Sequence, residues 1–89
     1  MTHCIIPGDV ACASVEDGTV VLHMGTKRYY SLNETGAAIW RLIEANVAVE
    51  AIPSRLSESY DVPLDEARGA VGALIAELEA MSLITVGSP

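Results

Sequence analysis

Two histidines and two cysteines are the residues whose side chains could bind a metal ion or act as a nucleophile: His3, Cys4, Cys12 and His23. Zinc sites usually contain close ligand pairs, such as two cysteines separated by two residues, and this sequence has no such pair. A catalytic cysteine needs a neighbouring base that a third group orients, and none is evident. The sequence therefore predicts no metal site and no cofactor, and we expect the protein not to be an enzyme.

A second set of side chains, at residues 27–32 (KRYYSL), is better suited to binding another molecule. Tyrosines offer a large contact area at a low cost in conformational entropy. In a strand these residues would alternate between two faces, with Arg28, Tyr30 and Leu32 on one face and Lys27, Tyr29 and Ser31 on the other. A helical pattern begins directly after Leu32, so the adjoining helix would hold this strand in a fixed position.

Composition limits the kinds of partner that this chain can have. The chain has 89 residues, 51% of them hydrophobic, which is enough for one small domain with a modest core. Its formal net charge of −7 disfavours nucleic acid and anionic membranes, because phosphate binding depends on lysine and arginine. No apolar run approaches the roughly 20 residues of a membrane helix, and no secretory signal is evident. We therefore expect a soluble, cytoplasmic protein with free thiols.

Three short strands are predicted within residues 10–32. The pair Asp17-Gly18 predicts a tight hairpin in which both central residues have positive φ, and Gly25-Thr26 predicts the companion type with glycine first. The middle strand has the two-residue period of a half-buried strand, with Val20, Leu22 and Met24 on one face and Val21 and His23 on the other. In this meander, the outer strand at residues 27–32 leaves a row of backbone N–H and C=O groups unpaired.

Three helices are predicted after residue 32, where the period of the apolar residues changes from two to about 3.6. Asn33 is a suitable N-cap for the first helix. The second helix runs from near Glu50 to Tyr60, with Pro53 in its first turn, where a missing N–H is tolerated. The third helix has an apolar stripe wider than a narrow seam, formed by Ala67, Val71, Leu74, Ile75 and Leu78.

These elements predict an α+β fold in which a three-stranded antiparallel sheet is followed by three helices. Residues 1–89 would form a single domain, with a core at about residues 10–84. Residues 1–7 and 87–89 are expected to fray, because the ends of a chain are poorly ordered unless they are tied down.

The same segments also carry a family likeness. KRYYSLNETGAAIW at residues 27–40, ESYDVP at residues 58–63 and LIAEL at residues 74–78, before Leu83-Ile84, resemble the PqqD-like family, whose domain is also called the RiPP recognition element. The resemblance extends over about residues 10–84. It implies a small winged-helix-like domain that binds the leader segment of a ribosomally synthesised precursor peptide. A stand-alone chain of this length is most similar to the leader-binding proteins of lasso peptide clusters, which serve a separate leader peptidase.

The resemblance places the peptide between the third strand and the third helix. There an extended leader would add a strand to the open edge, its main chain giving affinity and its alternate side chains entering pockets. The expected contact residues are Lys27, Arg28, Tyr29, Tyr30, Ser31 and Leu32 of the strand and Arg68, Val71, Leu74 and Ile75 of the helix. The expected partners are the precursor peptide and a separate leader peptidase or other peptide-modifying enzyme, to which the bound leader would be presented.

Several of these residues have a second interpretation. Tyr30 and Leu32 also fit a core pattern, and so do Val71 and Ile75. Arg68 could instead form an ion pair along its own helix. For the whole chain, a DNA-binding winged helix or another protein-interaction module is the alternative function. Charge argues against DNA, because the third helix carries four carboxylates and a single arginine.

Overall fold

The computed structural model describes residues 2–16 and 18–87, in which there are five strands and three α-helices. The strands are β1 (His3–Ile5), β2 (Val10–Val15), β3 (Gly18–His23), β4 (Tyr29–Leu32) and β5 (Thr85–Gly87). The helices are α1 (Glu34–Glu44), α2 (Ile52–Tyr60) and α3 (Leu64–Ala80), with a short 3₁₀ turn at Val49–Ala51 before α2. Within the described ranges, no helix is long and apolar enough to span a membrane.

Strands β2, β3 and β4 form an antiparallel sheet in that order, so β2 and β4 are its edges. Val21 of β3 pairs with Cys12 on one side and with Tyr30 on the other. Val21 and Leu32 belong to the same buried cluster as residues of all three helices, so this face of the sheet is turned toward the helices. The predicted α+β fold, a three-stranded antiparallel sheet with three helices, is confirmed.

The core lies between the inner face of the sheet and the helices. Apolar residues at helical spacing on α1, α2 and α3 meet there, which removes their side chains from water. The largest fully buried side chains are those of Trp40, Ile39, Ile52, Leu56, Leu78, Leu83, Ile84 and Val21.

The connection between β4 and α1 is short because Asn33 caps α1 directly after the strand. The side-chain oxygen of Asn33 accepts a hydrogen bond from the Gly36 N–H at 2.8 Å. A Cβ at Gly36 would lie 3.2 Å from Cδ2 of Leu32, so glycine allows the first turn of α1 to lie close to the end of β4. This joint fixes the helix and the strand relative to each other.

The prediction that residues 1–7 and 87–89 fray is wrong for the described part of both ends. β1 and β5 form a two-stranded antiparallel sheet in which Cys4 pairs with Val86. Cys4 is buried in the core, and desolvation, with a smaller effect of the Glu79 charge, raises the pKa of its thiol. Each of these strands has three residues, too few for a two-residue period to be visible in the sequence. Met1, Ser88 and Pro89 lie outside the described residues.

The turn predicted at Gly25-Thr26 is also wrong, because the β3–β4 loop is longer than a two-residue turn. Its positive φ, 63°, falls on Lys27, whose N–H donates to the His23 carbonyl at 2.8 Å. The Nδ1 atom of His23 accepts hydrogen bonds from the N–H groups of Gly25 and Thr26, each at 3.1 Å, and so stabilises this wider loop. β4 consequently begins at Tyr29 rather than at residue 27.

The turn predicted at Asp17-Gly18 depends on Asp17, which lies outside the described residues. Gly18 is the first residue of β3, pairs with Val15 and has a φ of 149°. A Cβ at Gly18 would lie 2.5 Å from the carbonyl oxygen of Leu32. Glycine is therefore required here for the close approach of β3 to the end of β4.

Candidate functional site

β4 presents an open edge. β3 lies on one side of it, and no described strand pairs with the other side. The His23 N–H donates to the Arg28 carbonyl at 2.8 Å across the β3–β4 ladder. Because hydrogen-bonded and non-hydrogen-bonded pairs alternate in an antiparallel ladder, Tyr30 directs its backbone groups toward β3, whereas Tyr29 and Ser31 direct theirs outward. Two residues of β4 therefore offer free N–H and C=O groups to an added strand.

A groove of about 320 Å³ lies between this edge and α3. The wall on α3 consists of residues on one helical face: Ala70, Ala73, Leu74 and Glu77. The facing wall includes Tyr30 and Ser31, and the buried Leu32, Gly36 and Ile39 also line the groove. The side chains on α3 are small apart from Leu74 and Glu77, which leaves room for a peptide beside the strand.

Three of the six residues predicted on the strand line this groove: Tyr30, Ser31 and Leu32. Tyr29 is 66% exposed and pairs with Leu22, so its side chain lies on the outer face of the sheet, opposite to the face of Tyr30. Lys27 and Arg28 are exposed residues of the β3–β4 loop and do not line the groove. The structure therefore places residues 30–32 at the groove and residues 27–29 outside it.

Of the four residues predicted on α3, Leu74 lines the groove. Val71 and Ile75 are 2% and 9% exposed and belong to the core cluster. Arg68 is exposed and does not line the groove. The apolar stripe of α3 is wide because it joins two sets of residues, one that packs into the core and one that borders the groove.

Sequence reasoning missed three residues of the α3 wall: Ala70, Ala73 and Glu77. Alanine gives little information about burial, and a glutamate on a long helix is usually solvated. The available signal is spacing, since Ala70 and Glu77 lie four and three residues from Leu74 and so share its helical face.

Tyr30 and Glu77 connect the two walls of the groove. The Tyr30 hydroxyl donates a hydrogen bond to Oε2 of Glu77. This bond, followed by desolvation and the charge of Glu77, raises the pKa of Tyr30. Among the described residues that line the groove, Glu77 is the one with a charged side chain. The groove therefore combines an open strand edge, apolar side chains and a single negative charge.

A second cleft lies between α1 and α2, where Arg41 and Arg55 adjoin Leu42, Leu56 and Tyr60. Among the described residues, it shares no lining residue with the β4–α3 groove and no strand borders it. Nowhere in residues 2–16 and 18–87 do three or more histidine, cysteine, aspartate or glutamate side chains come together in a way that could hold a metal ion. The β4–α3 groove lies beside the open edge of β4, so an extended chain in it could pair with that strand.

Known proteins resemble this chain in both sequence and structure. The family model described as Coenzyme PQQ synthesis protein D (PqqD) matches residues 18–84. The structure of TbiB1 in complex with the TbiA(beta) leader peptide is 26% identical, with a TM-score of 0.83 over 96% of this chain and 98% of that chain. Lasso peptide synthetase B1 complexed with the leader peptide has the same fold at 23% identity, with a TM-score of 0.79 over 93% and 98% of the two chains. No curated protein matches the sequence at a significant level.

Proposed function

This chain belongs to the PqqD family, and we propose on that basis that it binds the leader segment of a ribosomally synthesised precursor peptide. The leader adds a strand to the open edge of β4 and lies in the groove between β4 and α3. The protein presents the bound leader to a separate processing enzyme, such as a leader peptidase, and cleaves no peptide itself.

The observation that carries this proposal is the open edge of β4 beside the groove. A peptide strand paired with Tyr29 and Ser31 satisfies backbone groups that otherwise bond to water, and its alternate side chains point toward the lining of the groove. Because Asn33 caps α1 directly after β4, the edge is in place before the peptide arrives. A preformed edge lowers the entropy cost of binding.

The predicted contact residues have different roles in the proposed complex. Tyr29 and Ser31 supply main-chain hydrogen bonds, while Tyr30, Leu32 and Leu74 contact leader side chains in the groove. Val71 and Ile75 support the α3 wall from the core. Lys27, Arg28 and Arg68 are exposed residues adjacent in sequence to the two walls, and they are available to leader residues beyond the groove.

Two solved structures support a leader peptide as the ligand. TbiB1 was solved in complex with the TbiA(beta) leader peptide, and its fold matches this chain with a TM-score of 0.83. The lasso peptide synthetase B1 structure also contains a leader peptide. We therefore expect the leader of a lasso peptide precursor, bound in the cytoplasm, where ribosomes make the precursor.

Titration with labelled segments of candidate precursor peptides tests this function. Fluorescence anisotropy should show saturable binding of one leader segment and much weaker binding of its core segment. Mass spectrometry should show an intact precursor after incubation with the protein alone. Equal affinity for leader and core would contradict leader recognition, and cleavage by the purified protein would contradict a purely binding role.

A further inference from the structure

The position of Glu77 bears on which leaders the groove accepts. Its carboxylate lies on the α3 wall, three residues after Leu74, and faces Tyr30 of the edge strand. Of the eleven described residues that line the groove, Glu77 is the one with a charged side chain. Any leader seated against the Tyr30–Ser31 part of β4 must therefore pass close to one fixed negative charge.

We propose that Glu77 is a specificity-determining residue that selects leaders with a lysine or arginine at the position facing it. This inference rests on the proposed function, because it concerns the same groove. It goes beyond that function by assigning a charge requirement to the leader and by naming the residue that imposes the requirement.

The hydrogen-bonding capacity of the carboxylate supports this inference. Within the described residues, the side-chain partner of Glu77 is the Tyr30 hydroxyl, which donates one hydrogen bond to Oε2. An ionised carboxylate has about four lone-pair sites, so most of them remain for a second donor. A cationic donor forms shorter and stronger hydrogen bonds with a carboxylate than a neutral one does. An incoming lysine or arginine can thus join Tyr30 at Glu77 or displace it.

The charge of the whole protein also favours a cationic leader residue. The chain carries a formal net charge of −7, and the five lysine and arginine side chains are all absent from the groove lining. A leader carboxylate facing Glu77 is repelled and finds no cation in the groove lining to pair with. The preference is therefore for a cation and against an anion at a single leader position.

A charge-swap experiment tests this inference. A leader that binds the wild-type protein is synthesised as three series with lysine, glutamine or glutamate at each position in turn. Each series is titrated against wild type, Glu77→Gln and Glu77→Lys by fluorescence anisotropy. Glu79→Lys is the matched control, because it makes the same charge change two residues away at an exposed site outside the groove. Circular dichroism verifies that every variant is folded.

We expect one leader position at which wild type prefers lysine over glutamate by about fivefold, the upper end of the range for an exposed ion pair. This preference should disappear with Glu77→Gln and reverse with Glu77→Lys. With Glu79→Lys, the leader with lysine at this position should still bind more tightly than the leader with glutamate. If the leader binds but no position reverses its preference for lysine over glutamate in Glu77→Lys, the inference is overturned and the proposed function is left intact. Failure of the wild-type protein to bind any leader would overturn both.

Discussion

The hydrogen bond between Tyr30 and Glu77 gives the groove a measurable spectroscopic property. Because the Glu77 carboxylate accepts a hydrogen bond from the neutral phenol and its charge opposes a phenolate, the pKa of Tyr30 lies above its ordinary value. The neutral tyrosine therefore stabilises the folded state at pH values below the ordinary tyrosine pKa, and this contribution is lost as the pH rises through the raised value.

Phenolate absorbance as a function of pH should detect this effect. We expect Glu77→Gln to move the Tyr30 titration to lower pH, because the variant lacks the negative charge. The difference between wild type and Tyr30→Phe identifies the Tyr30 signal. An unchanged Tyr30 titration in Glu77→Gln would show that the two side chains do not interact in solution.

Val71 and Ala73 are two residues apart on α3 but have different surroundings, one in the core and one at the groove. Val71 is 2% exposed within the core cluster, whereas Ala73 is exposed and lines the groove. Val71→Glu should lower the free energy of unfolding by about 3 kcal/mol, because it buries an unpaired carboxyl group. Ala73→Glu should leave stability nearly unchanged and weaken leader binding by about tenfold, or 1.4 kcal/mol, by filling the groove with a charged side chain.

Thermal melts and leader-binding anisotropy are measured on both variants. Because both introduce glutamate, the results differ only through the position of the substitution. The assignment of the α3 wall would be wrong if Ala73→Glu bound leader like wild type. The assignment of Val71 to the core would be wrong if Val71→Glu melted like wild type.

Among the elements, β4 offers the leader a backbone edge in addition to the side chains that line the groove. The Ser31 N–H points away from β3, so Ser31→Pro removes a donor from the open edge without removing a hydrogen bond of the β3–β4 ladder. We expect Ser31→Pro to weaken leader binding by about tenfold through the lost hydrogen bond and a clash with the added strand.

Ser31→Ala is the matched control, since it deletes the hydroxyl but keeps the N–H, and it should bind leader nearly as well as wild type. Circular dichroism must show a folded Ser31→Pro protein. Unchanged affinity in that folded variant would remove the leader from the β4 edge.

The elements that could be predicted from the sequence are those with strong periodic patterns or caps. The structure contains a strand where β3 has a two-residue period, a helix capped by Asn33 and a helix where α3 has its apolar stripe. β1 and β5 could not be predicted, because three residues carry no period and their pairing joins opposite ends of the chain. The β3–β4 loop also differed, because a side-chain acceptor, His23, stabilises it in place of a glycine turn.

Prediction of the groove was limited by one ambiguity on α3. Hydrophobicity shows that a helix face is apolar, but it does not show which margin of that face packs inward. The sequence predicts Val71 and Ile75 as leader contacts, whereas the structure places their side chains in the core, next to Leu74 in the groove. Ala70, Ala73 and Glu77 can be assigned to the groove only after the orientation of α3 is known.

For the molecule as a whole, charge separates this fold from a DNA-binding winged helix. α3 carries Asp65, Glu66, Glu77 and Glu79 but a single cation, Arg68. Two further arginines, Arg41 and Arg55, adjoin the cleft between α1 and α2. Nucleic-acid affinity depends on lysine and arginine contacts to phosphates, and a net charge of −7 opposes such contacts. A peptide that pairs with a strand edge has no such requirement.

Amide hydrogen exchange, followed by NMR with and without the leader, tests whether the leader pairs with the edge of β4. If the leader pairs with β4, the outward N–H groups of Tyr29 and Ser31 should exchange much more slowly in the complex. The N–H of Tyr30, which already faces β3, should change far less. Strand addition at β4 would be ruled out if the leader bound while Tyr29 and Ser31 kept their free exchange rates and protection appeared instead on β2, the opposite edge of the sheet.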